Sequence, residues 1–178
     1  MSSLSSILAA RDARHQKQVE LLRSHPDETL LCLTVIMPGA EKRNALSLAV
    51  ANAAVGALRS VYPDYTYFEE RDLDTGFEAF MLVPLSELEA KRLAVELEDS
   101  HPLGRLFDVD VIQRILSSEG DVEDVVPISR SAIGSSPRRC LICDNEARFC
   151  MRQHAHTQEE LMARIQEMVA QFPSLINT

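Results

Sequence analysis

The sequence predicts an α+β protein, a two-layer sandwich in which helices cover a mixed or largely antiparallel sheet. Two observations support this class. A continuous apolar run at residues 29–37, TLLCLTVIM, is typical of a buried strand, and two runs rich in aromatic and β-branched residues flank the turn DTG at 74–76. Strand-like and helical segments follow one another in the order β-α-β-β-α-β, with a further helix at each end of the chain.

The first part of the chain begins with a helix at residues 4–24, where apolar residues show weak helical periodicity after serines suited to capping. The buried strand at 29–37 ends at a Pro-Gly turn. An Ala-rich helix follows at 44–61, with Asn44 as its N-cap. The strand therefore leads into the helix through the short loop PGAEKR.

The hairpin consists of strands at 65–70 and 77–83. Leucines among charged residues predict a helix at 85–98, and Ser86 opens a capping box at its start. After the helix breaker HPLG, residues 105–115 alternate between apolar and polar side chains, which is typical of a strand with one solvated face.

The segment 117–137 is polar and contains Gly, Ser and Pro, so we expect a surface loop there. The remaining residues, 138–178, are rich in Cys and Arg and include an amphipathic helix at 157–172, which begins at a capping box opened by Thr157. The length of the chain suits one globular domain, residues 1–178.

The order β-α-β-β-α-β is the split unit of ferredoxin-like sandwiches, in which helices cover one face of a largely antiparallel sheet. A nucleotidyltransferase-like α/β arrangement is the alternative, since a strand with a pair of aspartates is common in that fold. The helices at the two ends of the chain would flank either arrangement.

Charge and hydropathy exclude several classes of protein. The 178 residues carry a net charge of −9, which argues against a general nucleic-acid binder, because phosphate neutralisation needs clustered cations. No apolar run approaches the roughly 20 residues of a membrane-spanning helix, and the N-terminus is unlike a secretory signal. We therefore expect a cytoplasmic protein with reduced cysteines and no membrane partner.

Positive charge is concentrated late in the chain. Between residues 128 and 152 there are five arginines and two acidic residues, a local charge of +3, so the rest of the chain carries −12. An anionic ligand or partner is therefore expected to meet this segment.

The most informative segment is HPLGRLFDVD. Asp108 and Asp110 lie on one face of the predicted strand, with Cα atoms about 6.5–7 Å apart at a rise of about 3.3 Å per residue. Such a pair can bind Mg²⁺ and support phosphoryl or nucleotidyl transfer, although the solvated face of an edge strand has the same pattern. Gly104 and Arg105 offer an approachable backbone and a fixed cation, and His101 is a further candidate beside them.

The loop PGAEKR is a second candidate site, between a buried strand and the start of a helix. Free backbone N–H groups near Gly39, together with the Lys42 side chain, would hold an anion there. An ordinary strand-to-helix turn with solvated cations accounts for the same residues.

Three of the four cysteines occur in the pattern C-x2-C-x6-C-x3-H-x-H, which ends at His154 and His156. The spacing of the first two suits chelation, and Cys140, Cys143, Cys150 and His154 are candidate ligands of a structural zinc ion. Free thiols that pack a short turn, or a redox pair, are the alternatives.

Two long motifs resemble a known family. HPLGRLFDVDVI at 101–112, preceded by ELEDS, and RRCLICDNEARFCMRQHAHTQEEL at 138–161 resemble the apo-citrate lyase phosphoribosyl-dephospho-CoA transferases, which are the holo-acyl-carrier-protein synthases of citrate lyase. RDARHQKQ at 11–18 and the PGAEK loop are similar to that family as well. The resemblance covers nearly the whole chain and is weakest at 117–136.

The resemblance implies an enzyme that attaches the phosphoribosyl-dephospho-CoA part of triphosphoribosyl-dephospho-CoA to a serine of the citrate lyase acyl carrier protein, the gamma subunit, and releases pyrophosphate. In that interpretation Asp108 and Asp110 are catalytic and hold Mg²⁺. The guanidinium groups of Arg105, Arg138 and Arg139 would bind phosphates, and the PGAEK loop would hold the remaining ones.

The basic segment 128–152 has two candidate ligands, the CoA phosphates and the acyl carrier protein, since such carriers are generally acidic. Two alternatives to the transferase are compatible with the residues. A non-catalytic adaptor for an acidic protein would account for the cysteines and arginines. A metal-dependent nucleotide hydrolase would use the same aspartates with water as the nucleophile.

Overall fold

The structure, a computed structural model, describes residues 4–172. Over this range the chain forms five α-helices, five strands and two short 3₁₀ turns. In chain order the elements are α1 (Leu4–Ser24), β1 (Thr29–Val35), α2 (Ala45–Val61), β2 (Tyr67–Leu73), β3 (Gly76–Val83), α3 (Glu87–Ser100), β4 (Phe107–Leu116), β5 (Val122–Pro127), α4 (Ala147–Gln153) and α5 (Gln158–Ala170), with 3₁₀ turns at Gly104–Leu106 and Arg130–Ile133.

The five strands form one open antiparallel sheet in the order β2-β3-β1-β4-β5. β1 lies at the centre, where Cys32 pairs with Phe80 of β3 and with Asp110 of β4. The predicted hairpin is formed by β2 and β3, which pair as far as the turn between Leu73 and Gly76. The α+β class and the antiparallel sheet are therefore confirmed.

Both faces of the sheet are covered. Leu31 and Leu33 of β1 point into the main core with α2, α3 and α5, whereas Leu30 points to the opposite face, where α1 lies. α1 thus adds a partial third layer to the predicted two-layer sandwich. This layer escapes prediction because α1 is mostly polar and buries only Leu21 and Leu22, near its end.

The segment 117–137, predicted as a surface loop, contains β5 and a 3₁₀ turn. β5 pairs with the C-terminal half of β4 and forms an edge of the sheet. Its two buried residues, Val122 and Val125, are three positions apart, so the alternation that marks a strand is absent from the sequence. The loop prediction is wrong for the six residues of this strand.

The N-caps predicted at Asn44, Ser86 and Thr157 are confirmed, but of the capping box predicted at Ser86 only one bond is formed, in which Ser86 Oγ accepts from the Glu89 N–H at 3.4 Å. Asn44 accepts a hydrogen bond from the Ser47 backbone N–H at 2.9 Å at the start of α2, and Ser86 caps α3 in the same way. At α5 the capping box is reciprocal, with bonds of 3.1 and 2.7 Å between Thr157 and Glu160. These side chains satisfy backbone donors that a helix leaves free, so they fix where each helix begins.

The connection from α3 to β4 is very close. Gly104 is buried, and a Cβ atom at this position would lie 2.4 Å from the carbonyl oxygen of Glu98 and 2.7 Å from that of Leu97. Only a residue without a side chain therefore lets the 3₁₀ turn pack against the last turn of α3. This packing sets the position at which β4 begins.

We expect Gly104→Ala to destabilise the protein by about 1–3 kcal/mol, the usual cost of overpacking against rigid backbone. Urea denaturation measures this difference. Gly56→Ala is the matched control, because Gly56 lies in the exposed face of α2 with nothing near its Cβ position. The control is expected to gain up to about 1 kcal/mol from better helix propensity. Equal stability changes in the two variants would contradict the packing role.

Candidate active site and metal centre

A cavity of about 350 Å³ lies where β1 ends and β4 begins, and these two places meet at the same end of the sheet because the strands are antiparallel neighbours. Met37 and Pro38, just after β1, and Arg105, just before β4, line one side. The opposite side comes from a segment late in the chain, which contributes the guanidinium groups of Arg138 and Arg139 and, beside them, His154 and His156. This lining suits an anionic ligand.

Arg105 stands out among these groups. Among the buried side-chain nitrogen and oxygen atoms of residues 4–172, its Nε is the one that has no hydrogen-bond partner. Burial lowers the pKa of Arg105, and the positive charge of Arg138 lowers it further. An unpaired guanidinium N–H in a cavity is costly unless a ligand accepts it, so an anion bound there would relieve both effects.

Glu98 connects α3 to β4. Its side chain is 4% exposed, and Oε1 accepts a hydrogen bond from the Val109 backbone N–H at 2.8 Å. The outer edge of β4 is free of β5 at this point, since the β4–β5 pairing begins only at Ile112. Glu98 also pairs with Arg138 at 2.6 Å and with Arg130 at 2.9 Å. Burial raises its pKa, and Arg138 and the Val109 N–H oppose that effect.

Asp108 and Asp110 share one face of β4, as predicted from their spacing. Asp108 is 43% exposed, and its Oδ1 lies 3.2 Å from Arg138 Nη2. Asp110 is half-buried; burial, followed by the negative charge of Asp108, raises its pKa to about 6. A carboxylate whose pKa is raised by a neighbouring carboxylate marks a site where a bound cation is stabilising.

Arg138 links the carboxylates to the cavity. Besides Glu98 and Asp108, it donates a hydrogen bond from Nη1 to the Phe107 carbonyl oxygen at 3.0 Å. Arg139, the next residue, is 71% exposed and lies 3.6 Å from the exposed Asp144. The charge of Arg138 is therefore largely balanced by protein carboxylates, whereas Arg139 can turn toward a ligand.

Four possible metal ligands meet in the late segment. The ligand atoms of Cys140, Cys143, Cys150 and His156 all lie within 4.8 Å of one another. The Sγ atoms of Cys143 and Cys150 are 3.5 Å apart, and His156 Nε2 lies 3.3 Å from Cys143 Sγ. The cysteines are free thiols, and this Cys₃His cluster could hold a metal ion.

The structure brings His156, and not the predicted His154, to the three cysteines. A helix that continued past Cys150 would place His154 one turn later on the same face. α4 instead ends at Gln153, and His154 takes a left-handed conformation with φ of 48°. This reversal leaves His154 exposed and directs the chain so that His156 returns to the cluster.

Comparison with known proteins identifies the relationship suggested by these motifs. The family model described as apo-citrate lyase phosphoribosyl-dephospho-CoA transferase, CitX, matches residues 2–172. The chain belongs to this family. Along the described residues 4–172, no helix of this family member is long and apolar enough to cross a membrane.

Three relatives illustrate the similarity. The protein named "Probable apo-citrate lyase phosphoribosyl-dephospho-CoA transferase" of Streptococcus pyogenes serotype M3 is 33% identical over 95% of this chain and 86% of its own length. The apo-citrate lyase phosphoribosyl-dephospho-CoA transferase of Escherichia coli O1:K1 / APEC is 32% identical over 94% and 88%. Protein CitXG of Haemophilus influenzae is 35% identical over 93% of this chain, which spans only 34% of that longer relative.

Three of the predicted substrate-binding residues make contacts within this transferase fold. His101 Nδ1 accepts a hydrogen bond from the Leu103 backbone N–H at 3.1 Å, and its ring packs against Phe107. Burial lowers the pKa of His101.

The other two residues lie in the loop after β1. Lys42 donates a hydrogen bond to the Met37 carbonyl oxygen at 2.5 Å, and burial lowers the pKa of Lys42 as well. Gly39, with φ of 79°, packs so closely that its Cβ position lies 2.4 Å from the Gln158 side chain, which ties the loop to α5.

From the sequence, Glu98 is expected only as a possible third carboxylate of the metal site, Arg130 only as one arginine of the basic segment, and His156 only as a neighbour of the predicted ligand His154. The buried, linking position of Glu98 carries no sequence signal, because a glutamate on a helix with many acidic residues is usually exposed. Arg130 bonds to Glu98 and to Asp99 across more than thirty residues of sequence. For His156 the available signal is the longer spacing C-x2-C-x6-C-x5-H, which the sequence also contains.

We expect Glu98→Ala to destabilise the protein by about 3–5 kcal/mol, because it leaves buried cations and the Val109 N–H without their acceptor. Chemical denaturation followed by circular dichroism measures the loss. Glu96→Ala, on the exposed face of the same helix, is the control and is expected to change stability by less than about 0.5 kcal/mol. A Glu98→Ala variant as stable as this control would contradict the linking role of Glu98.

Proposed function

We propose that this chain transfers the phosphoribosyl-dephospho-CoA group from triphosphoribosyl-dephospho-CoA to a serine of the citrate lyase acyl carrier protein, in the cytoplasm, and releases pyrophosphate. The observation that supports this most strongly is the adjacency of two charged features. An arginine-lined cavity with the unpartnered Arg105 Nε lies beside a strand that carries two carboxylates, Asp108 and Asp110. Family membership agrees with this chemistry.

The reaction needs no nucleophile from this chain. The serine Oγ of the carrier attacks the α-phosphorus of the triphosphate, and a new P–O bond forms. The bond between the α-phosphorus and the oxygen that bridges to the β-phosphorus breaks, so the pyrophosphate leaves with that oxygen. The serine proton must pass to a base as the bond forms.

Asp108 and Asp110 are the residues that would hold Mg²⁺. The donor set fits, since Mg²⁺ is usually bound by one or two carboxylates together with substrate phosphates. Mg²⁺ would neutralise the charge that develops on the leaving pyrophosphate. Glu98 is not a third ligand in this proposal, because both of its oxygens already accept from Val109, Arg138 and Arg130.

Asp110 is the better candidate for accepting the serine proton. In the metal-free site its pKa of about 6 lies closer to neutral pH than that of an ordinary aspartate, so there it is ionised at neutral pH and is a stronger base. Asp108 is more exposed and remains close to Arg138, which orients it. The two carboxylates therefore differ in environment although they are two positions apart.

The arginines would bind the phosphates to different extents. Arg105 has an unused buried donor, so we assign it the closest phosphate contact. Arg139 is exposed beside the same cavity and would add a second cation. Arg138 keeps its bonds to Glu98 and Asp108, so it positions the carboxylates and contributes charge at longer range.

The carrier would approach from the side of α4. This short helix exposes two arginines, Arg148 and Arg152, beside the apolar side chains of Phe149 and Met151, which are 54% and 68% exposed. The rest of the chain is strongly acidic and would repel an acidic partner. The basic segment 128–152 is therefore the surface at which we expect docking.

We expect Asp108→Asn and Asp110→Asn to fold normally and to lose transfer by at least about a hundredfold, as when charge in the transition state loses its stabilising cation. The measurement is the intact mass of the apo carrier after incubation with the variant, Mg²⁺ and triphosphoribosyl-dephospho-CoA. The wild-type chain should add the mass of one phosphoribosyl-dephospho-CoA group. Asp64→Asn, in an exposed loop, is the matched control and should retain the wild-type rate.

The carrier with its serine replaced by alanine should gain no mass with any variant. Rates near wild type in both aspartate variants would remove these carboxylates from the mechanism. Loss of transfer in the Asp64→Asn control would indicate that the assay reports a general effect of charge.

We expect Asp110→Asn to raise stability at high pH while it abolishes transfer. The folded-state pKa of Asp110, about 6, exceeds the ordinary value of 3.8, so the folded state loses stability as pH rises through that interval and Asp110 ionises. A neutral Asn avoids the loss. In EDTA at pH 8, the melting temperature of the variant should exceed that of the wild-type chain by about 2–4 °C for each kcal/mol of stability regained. This difference in melting temperature should shrink as the pH falls toward about 4.5. A melting difference that does not change with pH would contradict this assignment.

A further inference from the structure

We infer that Cys140, Cys143, Cys150 and His156 bind one zinc ion, and that this ion holds in place the segment that forms one wall of the basic cavity. The site is structural and independent of the proposed transfer chemistry, because four protein ligands leave no open position for a substrate. The inference rests on the geometry of the cluster, on the way the backbone presents it, and on how little else holds this segment.

The distances fit a tetrahedral ion. With Zn–S bonds of about 2.3 Å, two sulfurs of a tetrahedral site lie about 3.8 Å apart. Cys143 and Cys150 have their Sγ atoms 3.5 Å apart, and His156 Nε2 lies 3.3 Å from Cys143 Sγ. The separation of the two sulfurs is too long for a disulfide, whose sulfurs lie about 2.05 Å apart. All four ligand atoms lie within 4.8 Å of one another, so one ion could contact them after small side-chain adjustments.

The backbone is shaped to present the ligands. Arg139 and Glu146 form an isolated antiparallel bridge, and the Cys140 N–H bonds to the Asn145 carbonyl oxygen at 2.7 Å, so the first two cysteines lie in a tight turn. Within that turn the Ile142 N–H donates to Cys140 Sγ at 3.5 Å. Such donation stabilises a thiolate, which is the form that binds metal.

The second pair of ligands comes from α4 and the turn after it. Cys150 is 5% exposed on the inner side of α4. The left-handed His154 ends the helix, and the Ala155 N–H bonds to the Cys150 carbonyl oxygen at 3.0 Å. This turn places His156 next to the thiols and leaves His154 exposed, so the two histidines have different roles despite their proximity.

Little hydrophobic burial holds this segment. The structure describes all of residues 138–156, and Cys150 is the only buried residue among them. Leu141 is partly buried and packs against the main core. A segment that cannot bury enough apolar surface usually needs a disulfide or a metal. The cysteines are free thiols, so a metal is the stabilising element that the residues support.

The first test is the zinc content of the full chain, purified without a histidine tag and in reducing buffer, with an expected value of about one zinc per chain. His156→Ala and Cys143→Ser should lower zinc affinity by more than the roughly 10–100-fold that loss of a supporting group costs. His154→Ala and Cys32→Ser are matched controls and should keep the wild-type zinc content. Cobalt substitution should give the absorption of a tetrahedral thiolate site in the wild-type chain and in both controls.

Trypsin digestion reports on the segment itself, apart from zinc content. Arg139, Arg148 and Arg152 are exposed, so removal of the metal should speed cleavage after them by about tenfold or more, while the sheet stays protected. Far-UV circular dichroism of His156→Ala should remain close to wild type, because the main core lies elsewhere.

A wild-type chain that contains no zinc and gives no tetrahedral cobalt spectrum would overturn the site. Zinc that leaves with His154→Ala but stays with His156→Ala would overturn the assignment of the fourth ligand. An unchanged rate of trypsin cleavage after metal removal would contradict the claim that the ion holds this segment in place. None of these outcomes depends on transfer activity, so failure here is distinguishable from failure of the proposed function.

Discussion

The buried carboxylate of Glu98 constrains the whole candidate site. It accepts from a backbone N–H of β4 at a point where β5 does not pair with that strand, and so it holds the strand that carries Asp108 and Asp110. Its negative charge, in turn, fixes Arg138 and Arg130, which belong to segments far along the chain. A charge buried to this degree requires cationic partners, and these partners bring the late segment to the sheet.

Two kinds of interaction therefore join the late segment to the rest of the fold. Ion pairs anchor its beginning at Arg138, and the proposed zinc site closes it between Cys140 and His156. The hydrophobic core contributes little there. The cavity lies between one end of the sheet and a segment that ion pairs and the proposed metal would hold in place. It presents Arg105 in a fixed position beside Arg138 and Arg139, and a multiply charged phosphate substrate needs such fixed cations.

Much of this fold follows from sequence patterns that are local. The apolar run of β1, the hairpin turn and the caps at Asn44 and Thr157 are set by neighbours in sequence, and their predictions are confirmed. The shared face of Asp108 and Asp110 follows from strand periodicity. The linking role of Glu98 depends on partners 11 to 40 residues away, and His156 replaces His154 because one left-handed residue changes the direction of the chain. Periodicity does not encode such contacts.

The coupling of pyrophosphate release to the carrier serine tests the central claim most directly. The chain is mixed with Mg²⁺ and triphosphoribosyl-dephospho-CoA, and pyrophosphate is measured with no carrier, with the wild-type carrier and with the serine-to-alanine carrier. Transfer at the Asp108 and Asp110 site predicts release only with the wild-type carrier, in step with its gain of mass. Release at the same rate in all three mixtures would contradict the account, because water would then be the nucleophile.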